Sequence, residues 1–499
     1  MIETRTEKKQ AFQAYLDEFE AFAKRAPGAD TPWMKQLRQE AFARFWELGF
    51  PTLRDEDWRF TSLAPLSART FRLASGVKGY HALTGNGTAP VAIDLATIHR
   101  RTPAGVGARV VFVNGRYAPE LSKVDHSDVG RGTVPSPHKP PQASSEAQKV
   151  VVMSLAEAIA AGHPLVQQHL AKHEDYRSDA FTALNTAFVE DGAFIHVKRG
   201  AVVEAPIYVL YVSVGNAEAL MAHPRNLIVA EEQSQATVVE DYVSLPVGQQ
   251  DGSDTPPHTR LEAGATLFFS NVVTEVVAGQ DALLSHYMIE REDESAINVS
   301  TLHLQQARNA NVDSHSVLIG GGLVRNNVHP VLTGEGADCL INGLFVANGR
   351  QHMDNYMKVE HAAPHCNSRQ FYNGILDGQS RGVFHGRIIV HKDAQKTDAK
   401  QTNRNLLLSD GAQIDTKPQL EIYADDVKCT HGATIGQMDE EALFYMRSRG
   451  IAEQEARRLM LFAFASECLD RMKPGPVRSW LEESVGGWLP GGTQAAATE

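Results

Sequence analysis

Hydrophobic and polar positions follow two patterns along the first part of the chain. Near the N-terminus the apolar residues recur at the spacing of an amphipathic helix, and Gly49 supplies a stop signal after them; they are Trp33, Leu37, Ala41 and Phe45. Around 110–117 the pattern changes to that of a strand. Together these patterns predict that residues 1–125 form a helical region with short strands.

The next segment is rich in proline, serine, glycine and other polar residues. This composition predicts a linker or long loop over 126–150. Directly afterwards, Ser154 and Glu157 have the spacing of a capping box, in which both side chains bond the first backbone N–H groups of a helix. We therefore expect a short helical segment within 151–190.

From 191 to 436 short strand-like runs recur without a helical pattern of useful length. Gly, Asn and Asp separate these runs, which lie at 227–230, 266–269, 284–289, 297–304, 312–319, 339–346, 352–360, 370–376, 382–390, 403–408 and 413–423. Many short strands at fairly even spacing are typical of a β-solenoid, a sandwich or a propeller. The repeat has no strict period, and the pattern alone leaves solenoid and sandwich open.

A helical pattern returns after the last strand and predicts a C-terminal helical domain over 437–489. Asp439 is placed to cap a first helix and Gly450 to end it. A second helix is expected over 452–472. The polar tail at 490–499 is expected to be disordered.

Residues 459–465 of the second helix are apolar almost all round. A helix with this pattern is buried on more than one side. It is either enclosed within its own domain or meets a partner with one face, and the sequence leaves both options open. Leu459 and Phe462 are the candidates for the partner-facing positions.

Composition describes an ordinary soluble protein of two or three domains. The chain has 499 residues, 22% of them charged and 42% hydrophobic, and a formal net charge of −12. The acidic balance argues against nucleic acid as a partner. The N-terminus lacks the apolar segment of a secretory signal, and no run is long enough to span a membrane, so we expect a cytoplasmic protein.

Cys429 and His431 are the most informative chemical pair. They lie two positions apart in a strand-like run, so both side chains project from one face. A thiol and an imidazole suit soft or borderline metals and sulfur chemistry. Two groups are too few for a closed metal site, and Val427 shares their parity, so this face is equally consistent with core.

The remaining candidates favour structural roles. His361, His365 and Cys366 form a tempting cluster, but Pro364 interrupts it and no further ligands lie nearby. Cys339 and Cys468 are read as buried, inert thiols. The glycine-rich stretches at 319–322 and 489–492 lack the Gly-Lys-Ser/Thr ending of a phosphate loop, so any ATPase is another polypeptide.

Six runs of sequence resemble the SufB/SufD family of iron–sulfur cluster assembly proteins. They lie at 56–61, 111–117, 184–188, 361–366, 401–410 and 416–436, in family order along most of the chain. The run Val-Lys-Cys-Thr-His-Gly-Ala-Thr at 427–434 is similar to the SufD branch. The SufB branch has Glu-His-Glu-Ala-Thr at this place and carries its sulfur-accepting cysteine in an earlier strand.

The resemblance implies a right-handed parallel β-helix flanked by N-terminal and C-terminal helical domains. It also implies a non-catalytic scaffold that pairs with SufB through its C-terminal rungs and with the ATPase SufC through its C-terminal helices. A transient iron–sulfur cluster would form between a SufB cysteine and His431, with none held stably by this chain alone. Flavin binding and self-association stay open.

The inward parity of Cys429 and His431 agrees with such a role if their strand is the last rung, because the end of a solenoid exposes its interior. Two other functions are alternatives to a scaffold of this kind. One is a SufB-like, sulfur-accepting subunit, which the form of the run at 427–434 disfavours. The other is a β-helix enzyme acting on polysaccharide, which needs clustered charged side chains and usually a secretion signal.

Overall fold

A computed structural model of the chain describes residues 5–76, 93, 95–124, 129–130, 149–173, 175–214, 218–245 and 267–489. The helices are α1 (Arg5–Ala23), α2 (Pro32–Leu48), α3 (Ala64–Ser67), α4 (Leu95–Arg101), α5 (Leu155–Ala160), α6 (Pro164–His169), α7 (Ala180–Ala187), α8 (Glu440–Ser448), α9 (Glu453–Leu469) and α10 (Pro476–Trp488), with single 3-10 turns at Glu56–Trp58 and Ala74–Gly76. Among the described residues, no helix has the length and apolarity to cross a membrane.

The strands before the long repeats are β1 (Arg72–Leu73), β2 (Arg109–Val113), β3 (Arg116–Tyr117), β4 (Val129–Gly130), β5 (Val150–Ser154), β6 (Ala193–Val197), β7 (Ile207–Val214), β8 (Leu220–Ala222), β9 (Arg225–Ala230) and β10 (Gln235–Leu245). The later strands are β11 (Phe268–Ala278), β12 (Leu283–Arg291), β13 (Ile297–Gln306), β14 (Asn311–Leu318), β15 (Leu323–Leu332), β16 (Asp338–Ala347), β17 (His352–His361), β18 (Asn367–Leu376), β19 (Arg381–Val390), β20 (Asp398–Leu407), β21 (Gln413–Ile422) and β22 (Lys428–Gly436).

From β9 onward, successive strands enter two sheets in turn and coil into a parallel β-solenoid of about seven turns. We call these the odd sheet, which ends at β21, and the even sheet, which ends at β22. A turn takes 26 residues from Ile297 to Leu323 but 32 from Arg381 to Gln413. One early turn takes 48, from Gln235 to Leu283, because 246–266 is inserted in it. This variation in turn length explains why the sequence shows no strict period. Of the two folds that the sequence pattern left open, the parallel β-helix is confirmed and the sandwich is excluded.

The early strands of the solenoid are covered on both faces, so β7 is a nearly continuous apolar run that is buried throughout. In β16, Ile341 and Phe345 lie in the solenoid interior, while Leu344 and Val346 face outward against the C-terminal helices. On the odd sheet, the outward side chains of Phe269 and others pack on an aromatic cluster from α1, α2 and α7.

The motif at 56–61 fastens the N-terminal region to the odd sheet. The buried Arg325 guanidinium lies 4.3 Å from the ring centre of Trp58, donates to the Asp57 carbonyl at 2.9 Å, and pairs with Asp354. Farther along the same face, Glu56 pairs with Lys417 of β21 at 2.6 Å. The motif therefore reaches from a central rung to the last strand of this sheet.

The local helix signals are confirmed. Helix α2 ends at Gly49 with a positive φ of 65°, which glycine adopts without strain. The capping box of Ser154 and Glu157 begins α5, and the Asp439 carboxylate accepts from the N–H groups of Glu441 and Ala442 to begin α8.

Other boundaries differ from those predicted. Strands β2 and β5 lie before residue 191 and yet belong to the sheets of the solenoid. Helix α9 ends at Leu469 rather than 472, and α10 follows within the predicted helical domain 437–489, at a place where no individual helix was predicted. Of the predicted linker at 126–150, only 129–130 and 149–150 are described, and they lie in or beside short strands; the tail at 490–499 lies outside the described residues.

Candidate functional site

The C-terminal end of the solenoid is an open rung. Among the described strands, β22 pairs with β20 alone and β21 pairs with β19 alone. Every residue of β22 is exposed except Cys429, which is half-buried. Two strand edges, one from each sheet, therefore present unpaired backbone donors and acceptors side by side.

The two residues singled out from the sequence lie on this rung. Cys429 is in register with Ala399 of β20, and His431 is in register with Gln401. Both Ala399 and Gln401 are buried in the solenoid interior. Because stacked residues in a parallel register share a face, Cys429 and His431 have inward parity, as predicted.

Their exposure follows from their place at the end of the stack. The inward residues of β20 are covered by β22, but no further described strand covers β22. Cys429 still packs against the core, whereas His431 is exposed. The thiol and the imidazole thus lie at the open end of the solenoid interior, where a molecule that binds this end could contact them.

Amides inside the preceding strand support the open rung. Asn405 donates through Nδ2 to the Thr434 carbonyl at 3.3 Å, and it exchanges hydrogen bonds with Asn403. In the sequence analysis the run at 401–410 served only as part of the family resemblance. The alternation of Gln401, Asn403 and Asn405, which places all three on one face of a strand, could have identified these interior amides.

The outward residue of the same run holds helix α9. Arg404 forms an ion pair with Glu467 and lies 5.5 Å from the ring centre of Phe464. Two further bonds attach the helix to the even sheet, from Asn342 to the Cys468 carbonyl and from Asn373 to the Phe464 carbonyl, both at 2.8 Å. Strand β20 therefore pairs with the open rung along one edge and contacts α9 with its outward face.

The environment makes the two site residues chemically unequal. Partial burial raises the pKa of the Cys429 thiol, and the nearby Asp398 carboxylate raises it further. The thiol is therefore protonated at neutral pH, and a thiol is a poorer ligand and nucleophile than a thiolate. The exposed imidazole of His431 is the more available ligand for a borderline metal ion.

The other cysteine and histidine candidates do not form a site. His361 is buried with Nε2 2.8 Å from the Ser368 hydroxyl oxygen, whereas His365 is exposed on a turn with a φ of 59°. Cys366 is buried, as are Cys339 and Cys468, and burial raises the pKa of all three thiols. Among the described residues, no three potential ligands converge on one point.

Helix α9 is buried on one side only, so of the two options left open for 459–465 the structure favours a helix with one uncovered side. Leu461, Ala465 and Cys468 pack on the outer face of the even sheet. Leu459 is 42% and Phe462 36% exposed. Residues Phe444 and Tyr445 of the preceding helix are more exposed still. We call these four residues the C-terminal apolar surface.

Comparisons with known proteins agree with this architecture. Residues 213–464 match the SufBD core domain of the SUF system of FeS cluster assembly, and residues 9–81 and 136–209 match the SufBD protein N-terminal region. The iron–sulfur cluster assembly protein SufD of Escherichia coli is 32% identical over 487 residues, which cover 97% of this chain and 98% of that protein.

Two further relatives carry related descriptions. An iron–sulfur cluster assembly SufBD family protein of Synechocystis is 30% identical over 459 residues, 92% of each chain. The SufD of Bacillus subtilis is 28% identical over 292 residues, 58% of this chain and 62% of that protein. The family resemblance of the sequence is thereby confirmed, and the chain belongs to the SufBD family of iron–sulfur cluster assembly proteins.

Proposed function

We propose that this chain is a SufD-like scaffold subunit whose open last rung forms half of a site for building iron–sulfur clusters. The observation that carries the proposal is that two inward-facing side chains, the exposed His431 and the half-buried Cys429, lie at a solenoid end with unpaired strand edges. Two protein ligands are too few to enclose iron, so a second subunit has to supply the rest.

The shape of the open end suits a SufB subunit that ends in the same way. Unpaired edges of β21 and β22 can each pair with a strand of the partner, as in other cases of strand addition. Large apolar residues at this end are exposed, namely Ile422 at 41%, Tyr423 at 64% and Ile435 at 54%. A stacked partner rung would bury them.

The ligand set explains how such a site would release its product. A neutral imidazole is a fair ligand for ferrous iron, and it holds a cluster less tightly than thiolate does. With His431 as the main ligand from this chain and the protonated thiol of Cys429 beside it, the cluster is bound transiently. A scaffold that must transfer its cluster needs this lability.

The raised pKa of the Cys429 thiol also bears on the alternative function. A sulfur-accepting subunit needs a cysteine that is readily deprotonated. Burial and the Asp398 carboxylate both raise the pKa of Cys429 and so keep its thiol protonated. This environment favours the SufD-like role over that of a SufB-like sulfur acceptor.

The C-terminal apolar surface is the proposed docking site for the ATPase SufC. Leu459 and Phe462 are exposed on α9, outside the face of Leu461, Ala465 and Cys468 that packs on the even sheet. Helix α9 is in turn attached to β20, the strand that supports the open rung. In this arrangement the chain is a non-catalytic member of an ATPase-driven complex.

The test is reconstitution from purified subunits. The chain, a SufB and a SufC are purified separately, mixed anaerobically, and supplied with ferrous iron, a cysteine desulfurase and ATP. We expect a stable complex that contains all three chains and accumulates iron with acid-labile sulfide, whereas the chain alone accumulates neither. Failure to associate with SufB under any of these conditions would contradict the proposal.

A further inference from the structure

A column of amide side chains inside the even sheet leads to His431. In the parallel register, Ile341 is followed by Gln370, then Gln401 and then His431, each on the next strand toward the open end. Gln370 and Gln401 are both buried, with 2% exposure each. Neighbouring strands are separated by ~4.8 Å, so successive side chains of the column lie within reach of one another.

The hydrogen bonding of this column stops one residue short of its end. Gln401 donates through Nε2 to Oε1 of Gln370 at 2.9 Å. The other polar atom of the Gln401 carboxamide, Oε1, is buried and accepts no hydrogen bond. In a stacked amide ladder each side chain donates to one neighbour and accepts from the next. The next residue of the column, which could donate a hydrogen bond to this oxygen, is His431.

The Gln401 carboxamide is held in place from the opposite sheet. Gly386 of β19 faces it so closely that a Cβ atom there would lie 2.0 Å from Gln401 Nε2. Any side chain at this position would push the carboxamide aside. The glycine and the bond to Gln370 together fix where the unpaired oxygen lies.

We propose that Gln401 is a positioning residue for His431, accepting a hydrogen bond from one ring N–H of the imidazole. A histidine that binds a metal through one nitrogen almost always donates its other ring N–H to a carbonyl or carboxylate, which fixes the tautomer and the ring orientation. The buried oxygen supplies that acceptor from inside the solenoid. The second nitrogen then presents its lone pair toward the open end.

This inference rests on the proposed role of His431 as an iron ligand, but its first test does not need iron. The full chain is labelled with 15N-histidine, and the ring nitrogen shifts of His431, assigned with His431→Gln, report the ratio of its neutral tautomers above neutral pH. We expect one dominant tautomer in the wild type. Gln401→Leu should give a mixture similar to that of free histidine.

Asn403→Leu is the matched control, because it removes another buried amide of the same strand, one that bonds the Tyr372 carbonyl and Asn405 rather than Gln401. It should keep the single tautomer. If Gln401→Leu does not fold, Gly386→Ala displaces the same carboxamide without changing it and should also give the mixture. A tautomer ratio that is the same in the wild type and in the folded Gln401 or Gly386 variant would overturn the proposal.

The second test is made in the reconstituted complex. The affinity for ferrous iron should fall ~10- to 100-fold in Gln401→Leu, as for other residues that orient a metal-binding histidine, and Gln401→Glu should restore it. Normal iron binding in Gln401→Leu, together with loss of iron in His431→Ala, would refute the positioning role. Normal iron binding in both variants would instead refute the ligand role of His431.

Discussion

Ile435 lies in register with Asn405 on the last two strands of the even sheet, yet Ile435 is 54% exposed whereas Asn405 is buried. Both residues have the same inward parity. The difference therefore reflects only that Asn405 has a strand on each side and Ile435 does not. Ile435 therefore occupies an inward position that no described strand covers, and this favours the proposal that a rung of a partner stacks on this end.

We expect Ile435→Glu to weaken pairing with SufB by more than tenfold. Burying one isoleucine contributes about 1.5–3 kcal/mol, and each 1.4 kcal/mol is a factor of ten in affinity. Thr434→Glu is the matched control, since Thr434 is exposed on the same strand with outward parity. The dissociation constants are measured by calorimetry. Equal weakening by both variants would show that charge alone, rather than the inward position, decides pairing.

Charges on the C-terminal apolar surface should weaken binding of the ATPase. Leu459→Glu and Phe462→Glu each remove an exposed apolar side chain, and a central interface residue of this kind contributes about 2 kcal/mol or more. The expected loss is well over tenfold, with SufB pairing unchanged.

Leu53→Glu serves as the control for that experiment, because Leu53 is 54% exposed in the N-terminal region. Folding of every variant is checked by circular dichroism. Unchanged ATPase affinity in both folded α9 variants would place the docking surface elsewhere on the chain.

The purified chain alone should neither hydrolyse ATP nor bind it with micromolar affinity. Its glycine-rich stretches lack the lysine and hydroxyl residue with which a phosphate loop holds nucleotide. Titration calorimetry of the lone subunit is the measurement, with SufC as the positive control. Saturable binding of ATP to the lone subunit would be incompatible with this expectation.

His361 should make the free energy of unfolding decrease as pH falls below about 6.5. Burial, together with the charge of Arg369, lowers the pKa of His361 from 6.5 to about 4. Between these values the unfolded chain binds the proton and the folded chain does not, so the free energy of unfolding decreases toward low pH. The full contribution is about 3 kcal/mol at about 1.36 kcal/mol per pH unit.

This dependence is measured by urea unfolding at pH 7 and pH 5. His361→Asn removes the titrating group, so the free energy of unfolding at pH 7 minus that at pH 5 should be about 2 kcal/mol lower in the variant than in the wild type. His315, whose pKa burial lowers to about 3, continues to contribute in the variant. An equal difference in the wild type and in His361→Asn would contradict the assignment.

The sequence predicts the features that depend on neighbouring residues. The capping residues Ser154 and Asp439 begin helices because their side chains satisfy backbone donors within three positions. The shared face of Cys429 and His431 follows from strand geometry alone. That their strand is the last rung is consistent with the helical pattern that follows it in the sequence.

The features that could not be predicted from the sequence depend on contacts between residues far apart in the chain, or on patterns that were ambiguous. The solenoid period is obscured by turns of unequal length and by amides such as Gln401 in the interior, where apolar residues are the usual marker. The exposed face of α9 could not be chosen because both of its sides are apolar. Helix α10 was missed although Val477, Leu481 and Val485 have helical spacing, since Gly486 and Gly487 weaken the pattern.

We propose that His431 is the principal iron ligand of this chain, and that the interface with SufB forms even when the imidazole is removed. The iron and acid-labile sulfide content of the reconstituted complex that carries His431→Ala, with gel filtration of the same sample, tests both statements. Thr430→Ala, an exposed neighbour of opposite parity, is the control, and Cys429→Ser should have a milder effect. We expect His431→Ala to form the intact complex with iron and sulfide near background. Wild-type iron and sulfide in that variant would contradict the ligand role, and loss of the complex would show that His431 is structural instead.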